Sequence, residues 1–438
     1  MDLFILSIAL HFRFSRFWRL CISPHMATHS VAGEDEGDSI AKSSNAYCTI
    51  YYNKQNVSSQ ASLPLLKLVE SVVGRHVHQY SMLEFVDYMG QLQTGTMFLG
   101  RNLVRICRQL FQYNYTRHLR ERLMMSDGGT IALDWVTNEN NRLLSPSTPI
   151  VIILHGIIGD SQSEYFYDFV RTLYAHNLQP VVLVARGCGG LTLTSPSLFA
   201  GSKPFDLYET VQHLQERYPG RKLMAIGYSL GAAALLQYVS LCKYRCPSGL
   251  SLAACVSPPW CFKNTVKPSL ILAIWSYFIA LPLKLHYLSH HSTLRRYSEE
   301  YRTIHPLQVA LVADVGAFDK LCYHTYHKCD RSSIAMTGQG ETSKTWIVRG
   351  QRRYSSLQEY YHDISPCNMV GDIDTPTVAF SAEDDPLCQH QLCPEPSAFS
   401  DQLVVVKSKT GGHLAFPDGR YWTKGWIEDV LLDLFLSA

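Results

Sequence analysis

Residues 223–236 read LMAIGYSLGAAALL, in which an apolar run leads into a G-x-S-x-G pattern and then into residues with high helix propensity. The pattern Gly227-Tyr228-Ser229-Leu230-Gly231 therefore lies at the junction of a predicted strand and a predicted helix. At such a junction G-x-S-x-G forms a nucleophile elbow, a sharp turn that holds the serine hydroxyl clear of the sheet. The alternative is a serine in an ordinary turn, which this context disfavours.

Short apolar runs recur on both sides of this motif and alternate with helical patterns. They are residues 150–154, 180–185, 223–226, 252–256, 377–380 and 403–406. Strands that are apolar at every position are typical of a parallel sheet covered on both faces. The sequence therefore predicts an α/β fold with a mostly parallel, doubly wound sheet. Active sites in such sheets lie at the carboxyl ends of the strands.

Polar residues after two later strands supply partners for Ser229. A serine hydroxyl needs a base to become nucleophilic, and the base needs an acid that orients it. His413 follows two glycines after the last strand and is the candidate base. Asp385, after the 377–380 strand, is the preferred acid, and the adjacent Asp384 is its competitor. Serine, aspartate and histidine then follow one another in the order that α/β-hydrolases use.

Two backbone N–H groups near Ser229 are candidate donors to an oxyanion. One belongs to Leu230, the residue after the predicted nucleophile, and the other to Ile157, in the HGIIG loop that follows the 150–154 strand. The predicted catalytic set is thus Ser229, Asp385 and His413, with the amides of Ile157 and Leu230 as the oxyanion hole.

The composition limits the classes of protein that the chain can represent. Among 438 residues, lysine and arginine exceed aspartate and glutamate by only 39 − 37 = +2, which does not suit a nucleic-acid-binding surface. Charged residues make up 17% and hydrophobic residues 46% of the chain, so it can bury a large core and is not predicted to be disordered. The low charge is compatible with work near lipid, although no apolar run is long enough to predict a membrane span.

The thirteen cysteines are scattered and odd in number, unlike the paired framework of a small secreted domain. Cys388 and Cys393, with His390 between them, could be imagined as metal ligands, as could Cys242 and Cys246. These spacings do not combine into a four-ligand site. We therefore expect free thiols in a reducing compartment, with no metal and no organic cofactor.

Composition and periodicity divide the chain into five predicted segments. They are a leader and linker (residues 1–60), an N-terminal helical region (61–125), the first part of the sheet domain (126–260), a helical cap or lid insertion (261–370) and the last part of the sheet domain (371–438). The linker prediction rests on the Ser-, Ala- and Asn-rich composition of residues 27–60. The cap prediction rests on the long gap between the fourth and fifth apolar runs.

Three segments outside the predicted sheet have distinctive compositions. Residues 3–20 join an apolar run to arginines at every third position from Arg13 to Arg19. This pattern suits a membrane anchor or a targeting peptide, and a disordered leader is an alternative of equal weight. Residues 269–283 read SLILAIWSYFIALPL. We expect a buried cap helix there, and a lipid-facing lid is the alternative. Residues 328–350, rich in Ser, Thr and Gly, predict a surface insertion without chemistry.

Six motifs between residues 110 and 435 belong together. They are Asp127-Gly128-Gly129 with Leu133-Asp134-Trp135, His155-Gly156-Ile157-Ile158-Gly159, Arg186-Gly187-Cys188-Gly189-Gly190, Gly227-Tyr228-Ser229-Leu230-Gly231, Asp384-Asp385-Pro386 and Gly411-Gly412-His413. In combination they resemble the YheT-like branch of the α/β-hydrolase-domain proteins, as do Phe318-Asp319 and Glu359-Tyr360-Tyr361 in the cap. The resemblance implies an α/β-hydrolase fold with a helical cap, and it carries the family triad onto Ser229, Asp385 and His413. It also implies membrane-associated lipid ester hydrolases, among them monoacylglycerol lipases and phospholipases.

Residues and resemblance together predict a serine esterase that cleaves carboxylic esters, in particular monoacylglycerol or phospholipid, through an acyl-enzyme. We expect it on an intracellular membrane surface or in the cytoplasm, without nucleic-acid partners, and with Trp275, Phe278 and Leu281 lining the acyl path. One alternative is an acyltransferase that uses the same triad, because H-x-x-x-x-D occurs at His155–Asp160 and at His413–Asp418. The other is a non-enzymatic lipid-binding protein on a hydrolase fold.

Overall fold

The computed structural model describes residues 40–44, 48–53, 62–77, 94–95, 116–198, 204–242, 248–262, 270–325, 334–337, 345–348, 354–416 and 425–438. All of them lie in one compact unit, Ser39–Ala438. The strands are β1 (Ile40–Ser44), β2 (Cys48–Asn53), β3 (Arg117–Met124), β4 (Thr130–Thr137), β5 (Ile150–Leu154), β6 (Gln179–Val184), β7 (Leu223–Tyr228), β8 (Leu252–Val256), β9 (Ile334–Thr337), β10 (Thr345–Val348), β11 (Thr377–Ala382) and β12 (Leu403–Ser408). The helices are α1 (Ser62–Val77), α2 (Tyr167–Ala175), α3 (Pro204–Arg217), α4 (Leu230–Cys242), α5 (Leu270–Tyr297), α6 (Glu299–Thr303), α7 (Pro306–Leu311), α8 (Val315–Cys322), α9 (Leu357–Ile364) and α10 (Trp426–Ser437).

Ten strands form the central sheet, in the order β1-β2-β12-β11-β8-β7-β5-β6-β4-β3. The six strands from β12 to β6 pair in parallel, and antiparallel strands extend the sheet at both edges. Every residue of β5, β6, β7, β8 and β11 is buried, as expected for strands covered on both faces. The predicted α/β class with a mostly parallel, doubly wound sheet is confirmed.

Two strands lie in N-terminal segments for which the sequence did not predict them. β3 occupies residues 117–124, at the end of the region predicted to be mostly helical, and β2 occupies residues 48–53, within the predicted leader and linker. β3 is held across the strand pair, since Arg120 faces Asp134 of β4 and binds its carboxylate with two hydrogen bonds of 2.7 Å. A cross-strand ion pair of this kind stabilises a solvent-facing edge strand but leaves no periodicity in the sequence. A helix is present in this region at α1, and residues 1–39 of the predicted leader and linker lie outside the described residues.

The helices bury one apolar layer on each face of the sheet, and a third apolar cluster fills the cap. The cap consists of α5 to α9 and leaves the sheet between β8 and β11, within the predicted insertion. In residues 328–350 the described parts are β9 and β10, which form a two-stranded antiparallel hairpin. Among the described residues, no helix combines the length and the apolarity that crossing a membrane requires.

Candidate active site

The G-x-S-x-G pattern forms the turn between β7 and α4. Ser229 has a φ of 52°, in the left-handed region that residues other than glycine rarely adopt. A Cβ atom at Gly227 would lie 2.4 Å from the carbonyl oxygen of Gly231. One at Gly231 would lie 2.5 Å from the carbonyl oxygens of Leu154 and His155. Only glycine fits at these two positions, and the turn has the elbow geometry that the sequence predicts.

The structure brings Ser229, His413 and Asp385 together in one hydrogen-bonded chain. Nε2 of His413 lies 3.0 Å from Oγ of Ser229, and Nδ1 of His413 lies 2.9 Å from Oδ2 of Asp385. The other carboxylate oxygen of Asp385 accepts the backbone N–H groups of Leu387 and Cys388, both at 2.8 Å. The carboxylate is thus fixed on both sides, which orients the imidazole with Nδ1 protonated and Nε2 free to accept the serine proton.

Asp384, the competing candidate for the acid, has a different position. Its Oδ1 accepts the backbone N–H of Gly412 at 2.8 Å, so it supports the loop that carries His413 and does not contact the imidazole. Its other oxygen, Oδ2, is buried without a hydrogen-bond partner in the described part of the chain. Burial accordingly raises the pKa of Asp384 to about 6. The geometry therefore gives the acid position to Asp385.

The two predicted oxyanion donors flank Ser229. A Cβ atom at Gly156 would lie 3.4 Å from that of Ser229, so the loop after β5 passes directly beside the serine, and Ile157 is its next residue. Leu230 is the first residue of α4, where N–H groups have no partner within the helix. Neither N–H has an acceptor among the described residues. Both groups remain available to a ligand oxygen, as the prediction requires.

Tyr165, which the sequence did not single out, anchors the loop after β5. Its hydroxyl oxygen accepts the backbone N–H of Gly156 at 2.6 Å, and its ring packs 5.3 Å from that of Tyr228, the residue before Ser229. Burial raises the pKa of Tyr165, so the phenol stays neutral. One side chain thus connects the predicted oxyanion loop to the serine turn.

His155 has a structural role in the same loop. Its Nε2 accepts the backbone N–H of Ala185 at 3.1 Å, so Nδ1 carries the proton and donates to the carbonyl oxygen of Gly156 at 2.7 Å. Burial lowers the pKa of His155, which keeps the ring neutral. Both nitrogens are therefore used by the backbone, and the H-x-x-x-x-D pattern at His155–Asp160 does not supply an acid or base for acyl transfer. Asp418 of the second such pattern lies outside the described residues.

Distant parts of the chain hold the site in position. The backbone N–H of His413 donates to Oγ1 of Thr94 at 2.7 Å, across 319 residues of sequence. Arg186 is 4% exposed, and its ion pair with Asp127, at 2.6 Å, joins two of the resemblance motifs. A second ion pair, with Asp206 at 2.7 Å, connects it to α3. The arginine contact could have been suspected from the motifs, but no local signal points to Thr94.

The cap packs against the loops that follow β5 and β6. Ile157 contacts the apolar cluster inside the cap, and a Cβ atom at Gly187 would lie 2.8 Å from the ring of His286 in α5. Burial, with His290 and His155 nearby, lowers the pKa of His286 to about 4, so this contact is made by a neutral ring at pH 7.

The exposed side of α5 differs from the prediction of a buried cap helix. Phe278 and Leu281 are 58% and 46% exposed, so they lie on the outer surface of the cap and not on an enclosed acyl path. Trp275 is half-buried, and Ala280 and Leu283, on the opposite side of the helix, are buried. The helix therefore has one buried and one exposed apolar side.

The thiols do not form the metal site that the spacing of Cys388, His390 and Cys393 could suggest. Cys388 lies beside Asp385 and His413 instead, and its ligating atom is within 4.8 Å of theirs. The nine cysteines among the described residues are free, and seven of them are buried.

Comparison with known proteins agrees with this geometry. The model of a family described as "Alpha/beta hydrolase family" matches residues 151–418, more than half of the chain. Mouse phospholipase ABHD3 is 25% identical over 330 residues, which are 74% of this chain and 72% of that protein. A monoacylglycerol lipase of Saccharomyces cerevisiae is 27% identical over 63% of this chain and 57% of that protein. The putative esterase YheT of Escherichia coli is 23% identical over 71% of this chain and 84% of that protein. With its parallel sheet, its serine elbow and these relatives, the chain belongs to the alpha/beta hydrolase family.

Proposed function

We propose that this protein is a serine esterase that cleaves carboxylic esters of lipids. The observation that carries the proposal is the chain of two hydrogen bonds from Ser229 through His413 to Asp385, with distances of 3.0 and 2.9 Å. This arrangement makes the serine nucleophilic, and the nearby N–H groups of Ile157 and Leu230 are free to stabilise an oxyanion.

The reaction proceeds in two halves. Ser229 Oγ attacks the acyl carbonyl while Nε2 of His413 takes the hydroxyl proton, and Asp385 stabilises the imidazolium that forms. His413 returns this proton to the alcohol as it leaves, and the acyl-enzyme remains. Water then loses a proton to His413, attacks the acyl-enzyme and releases the fatty acid. No metal or organic cofactor takes part in these steps.

Two observations support a lipid as the source of the ester. The relatives include proteins named phospholipase and monoacylglycerol lipase. The cap also exposes an apolar surface, which we call the apolar cap face. It consists of Tyr277, Phe278, Leu281 and Leu285 of α5 and Leu307 and Leu311 of α7, all of them 46–81% exposed.

The charges around the apolar cap face suit a lipid surface. α5 contains no acidic residue over its 28 positions. Lys284 is turned inward, where its ammonium group donates to the carbonyl oxygens of Ala310 and Val312 at the end of α7. Lys284 therefore adds no exposed charge among the apolar residues of this face, which suits a surface that rests on a bilayer. Association with a membrane is accordingly part of the proposal.

The nucleophile is tested with Ser229→Ala in the full chain. The variant is expected to lose labelling by a fluorophosphonate probe and to lower ester turnover by about 10⁶-fold, because no other group replaces the attacking oxygen. Ser257→Ala is a matched control. Ser257 also follows a parallel strand and has a positive φ, of 49°, but its Oγ has no hydrogen-bond partner in the described part of the chain. Undiminished labelling of Ser229→Ala would overturn the assignment.

The substrate class is tested by competition. A panel of monoacylglycerol, phospholipid and short-chain esters should compete with the probe, and the lipid esters should compete best. Product analysis with water and a lysolipid both present separates hydrolysis from acyl transfer. A transferase would give diacylated lipid, and a binding protein would give no product at all.

Membrane association is tested by partition onto phospholipid vesicles. The double variant Phe278→Ser, Leu281→Ser removes two half-exposed apolar side chains from the apolar cap face. Burial of these side chains in lipid contributes about 2–3 kcal/mol, so the vesicle partition coefficient should fall about 100-fold. Leu119→Ser with Met124→Ser, exposed on β3, is the matched control. Both pairs are made with and without residues 1–25, so that the leader is measured separately. Equal partition of the two pairs in both backgrounds would contradict a role for the cap face.

A further inference from the structure

Cys388 is a buried thiol beside the proposed triad that the reaction does not use. Its backbone N–H donates to Oδ1 of Asp385 at 2.8 Å, which fixes the residue against the carboxylate. Its Sγ, one carboxylate oxygen of Asp385 and one ring nitrogen of His413 all lie within 4.8 Å of one another. Carboxylate, imidazole and thiolate are the three side-chain groups that bind Zn²⁺ in proteins.

The three ligating atoms lie near enough to one another for side-chain rotation to bring them to the spacing of a tetrahedral zinc site. Zn–N and Zn–O bonds of about 2.0–2.1 Å and a Zn–S bond of about 2.3 Å place neighbouring ligand atoms about 3.3–3.6 Å apart. Nδ1 of His413 and Oδ2 of Asp385 are 2.9 Å apart and share a hydrogen bond, so the ring and the carboxylate must turn away from each other to admit a metal between them.

The charges also balance. A carboxylate, a thiolate and a neutral imidazole bring two negative charges to a divalent cation, so the occupied site is neutral. Neutrality matters because the side chain of Asp385 is only 1% exposed and that of His413 only 9%, and an unbalanced charge there would be costly.

We propose that Asp385, Cys388 and His413 form an inhibitory site for Zn²⁺ and similar thiophilic divalent cations. On binding, Cys388 gives its proton to solvent and forms the Zn–S bond. The hydrogen bond between His413 and Asp385 breaks, the imidazole proton passes through solvent from Nδ1 to Nε2, and Nδ1 binds the metal. One Zn²⁺ therefore enters and one proton leaves. With Nε2 protonated, His413 no longer accepts the proton of Ser229.

The site should discriminate between cations. Mg²⁺ and Ca²⁺ prefer oxygen ligands and gain little from a sulfur and a nitrogen, whereas Zn²⁺ and Co²⁺ accept both. Loss of activity with Zn²⁺ but not with Mg²⁺ therefore separates a site with nitrogen and sulfur ligands from a carboxylate-only site, and substitution of Cys388 assigns it to this cluster.

The first experiment measures ester turnover of the full chain against free Zn²⁺ in a chelator-buffered solution. Cys388→Ser is expected to raise the Zn²⁺ concentration for half inhibition by about 100-fold or more, while Cys261→Ser, at a half-exposed thiol, leaves it unchanged. Mg²⁺ should not inhibit any of the three proteins. Equal Zn²⁺ sensitivity of the Cys388→Ser variant and the unmodified chain would overturn the proposal.

The inference rests on the proposed function, because inhibition needs turnover, so a second experiment reads binding alone. Co²⁺ is added to full chain carrying Ser229→Ala, and the thiolate-to-cobalt absorption band is recorded. We expect the band to weaken when either Cys388→Ser or His413→Gln is added, and to persist with Cys261→Ser. A band that is unaffected by both ligand substitutions would refute the site even if the protein proves not to be an esterase.

Discussion

Asp385→Asn, with the adjacent Asp384→Asn as its control, is the sharpest test of the proposed acid. Asp385 accepts Nδ1–H of His413 at 2.9 Å, whereas Asp384 accepts the backbone N–H of Gly412, at 2.8 Å. An asparagine at 385 offers an N–H group or a weaker acceptor to the imidazole, so it favours the wrong tautomer and does not stabilise the imidazolium. In serine hydrolases this exchange lowers kcat by about 10⁴-fold, which is about 5.4 kcal/mol of transition-state stabilisation.

The control has a different expected result, because an asparagine oxygen at 384 still accepts the N–H of Gly412. We expect kcat to stay within about threefold, less than 1 kcal/mol. Stability should change instead. Burial raises the pKa of Asp384 from its ordinary value of 3.8 to about 6, so the folded protein binds this proton more tightly than the unfolded chain. The carboxyl group therefore destabilises the fold progressively as the pH rises through this window.

The size of that effect follows from the two pKa values. Integrated over pH, the cost of ionising Asp384 in the folded state grows from about 0.5 kcal/mol at pH 4 to at most about 3 kcal/mol at pH 8. Asp384→Asn removes this cost, so its gain in the free energy of unfolding over the unmodified chain should grow over the same range. Urea denaturation at several pH values, together with initial rates on a soluble ester, measures both variants. A large loss of kcat in Asp384→Asn with little loss in Asp385→Asn would refute the assignment of the acid.

Three further substitutions test the supports of the site. Arg186→Met leaves two carboxylates without their buried partner and should lower the free energy of unfolding by about 3–5 kcal/mol in urea denaturation, and an unchanged value would contradict the role of this ion pair. Tyr165→Phe removes the acceptor of the Gly156 N–H and should cost about 1–3 kcal/mol, with kcat falling more than KM rises if the loop carries the oxyanion donor. Thr94→Val keeps the shape of the side chain but removes the acceptor for His413, so stability should fall by about 1 kcal/mol; equal stability would show that water replaces the threonine.

Local patterns were sufficient for the parallel strands and the serine turn. An apolar run followed by G-x-S-x-G contains the whole elbow within fourteen residues, from Leu223 to Leu236, and the structure places the strand and helix there. The order of the motifs also anticipated that His413 and Asp385 would meet Ser229, because parallel strands end at one edge of the sheet.

The features that the sequence missed or left open depend on contacts between distant segments. The strand at Arg117–Met124 is stabilised by the ion pair of Arg120 with Asp134, and it lies at the end of a region that was predicted to be mostly helical. The choice between Asp384 and Asp385 depends on the direction of two neighbouring side chains in a turn, which composition does not encode. Thr94 accepts a hydrogen bond from the backbone N–H of His413, 319 residues away in the sequence, and no local sequence pattern predicts such a contact.

Backbone strain beside the functional groups explains why these distant contacts matter. Ser229, Ile158 and Leu414 have φ angles of 52°, 48° and 65°, and each of them is a predicted functional residue or the direct neighbour of one. Such conformations cost of order 1–3 kcal/mol each and persist only where surrounding contacts fix them. Here the backbone N–H of Ser229 donates to Val256 in the adjacent strand, and the Tyr165 hydroxyl holds the loop that contains Ile158. The buried parallel strands therefore do more than carry the proposed reactive groups, because their rigidity keeps strained turns in the one conformation in which the serine, the histidine and the predicted oxyanion donors converge.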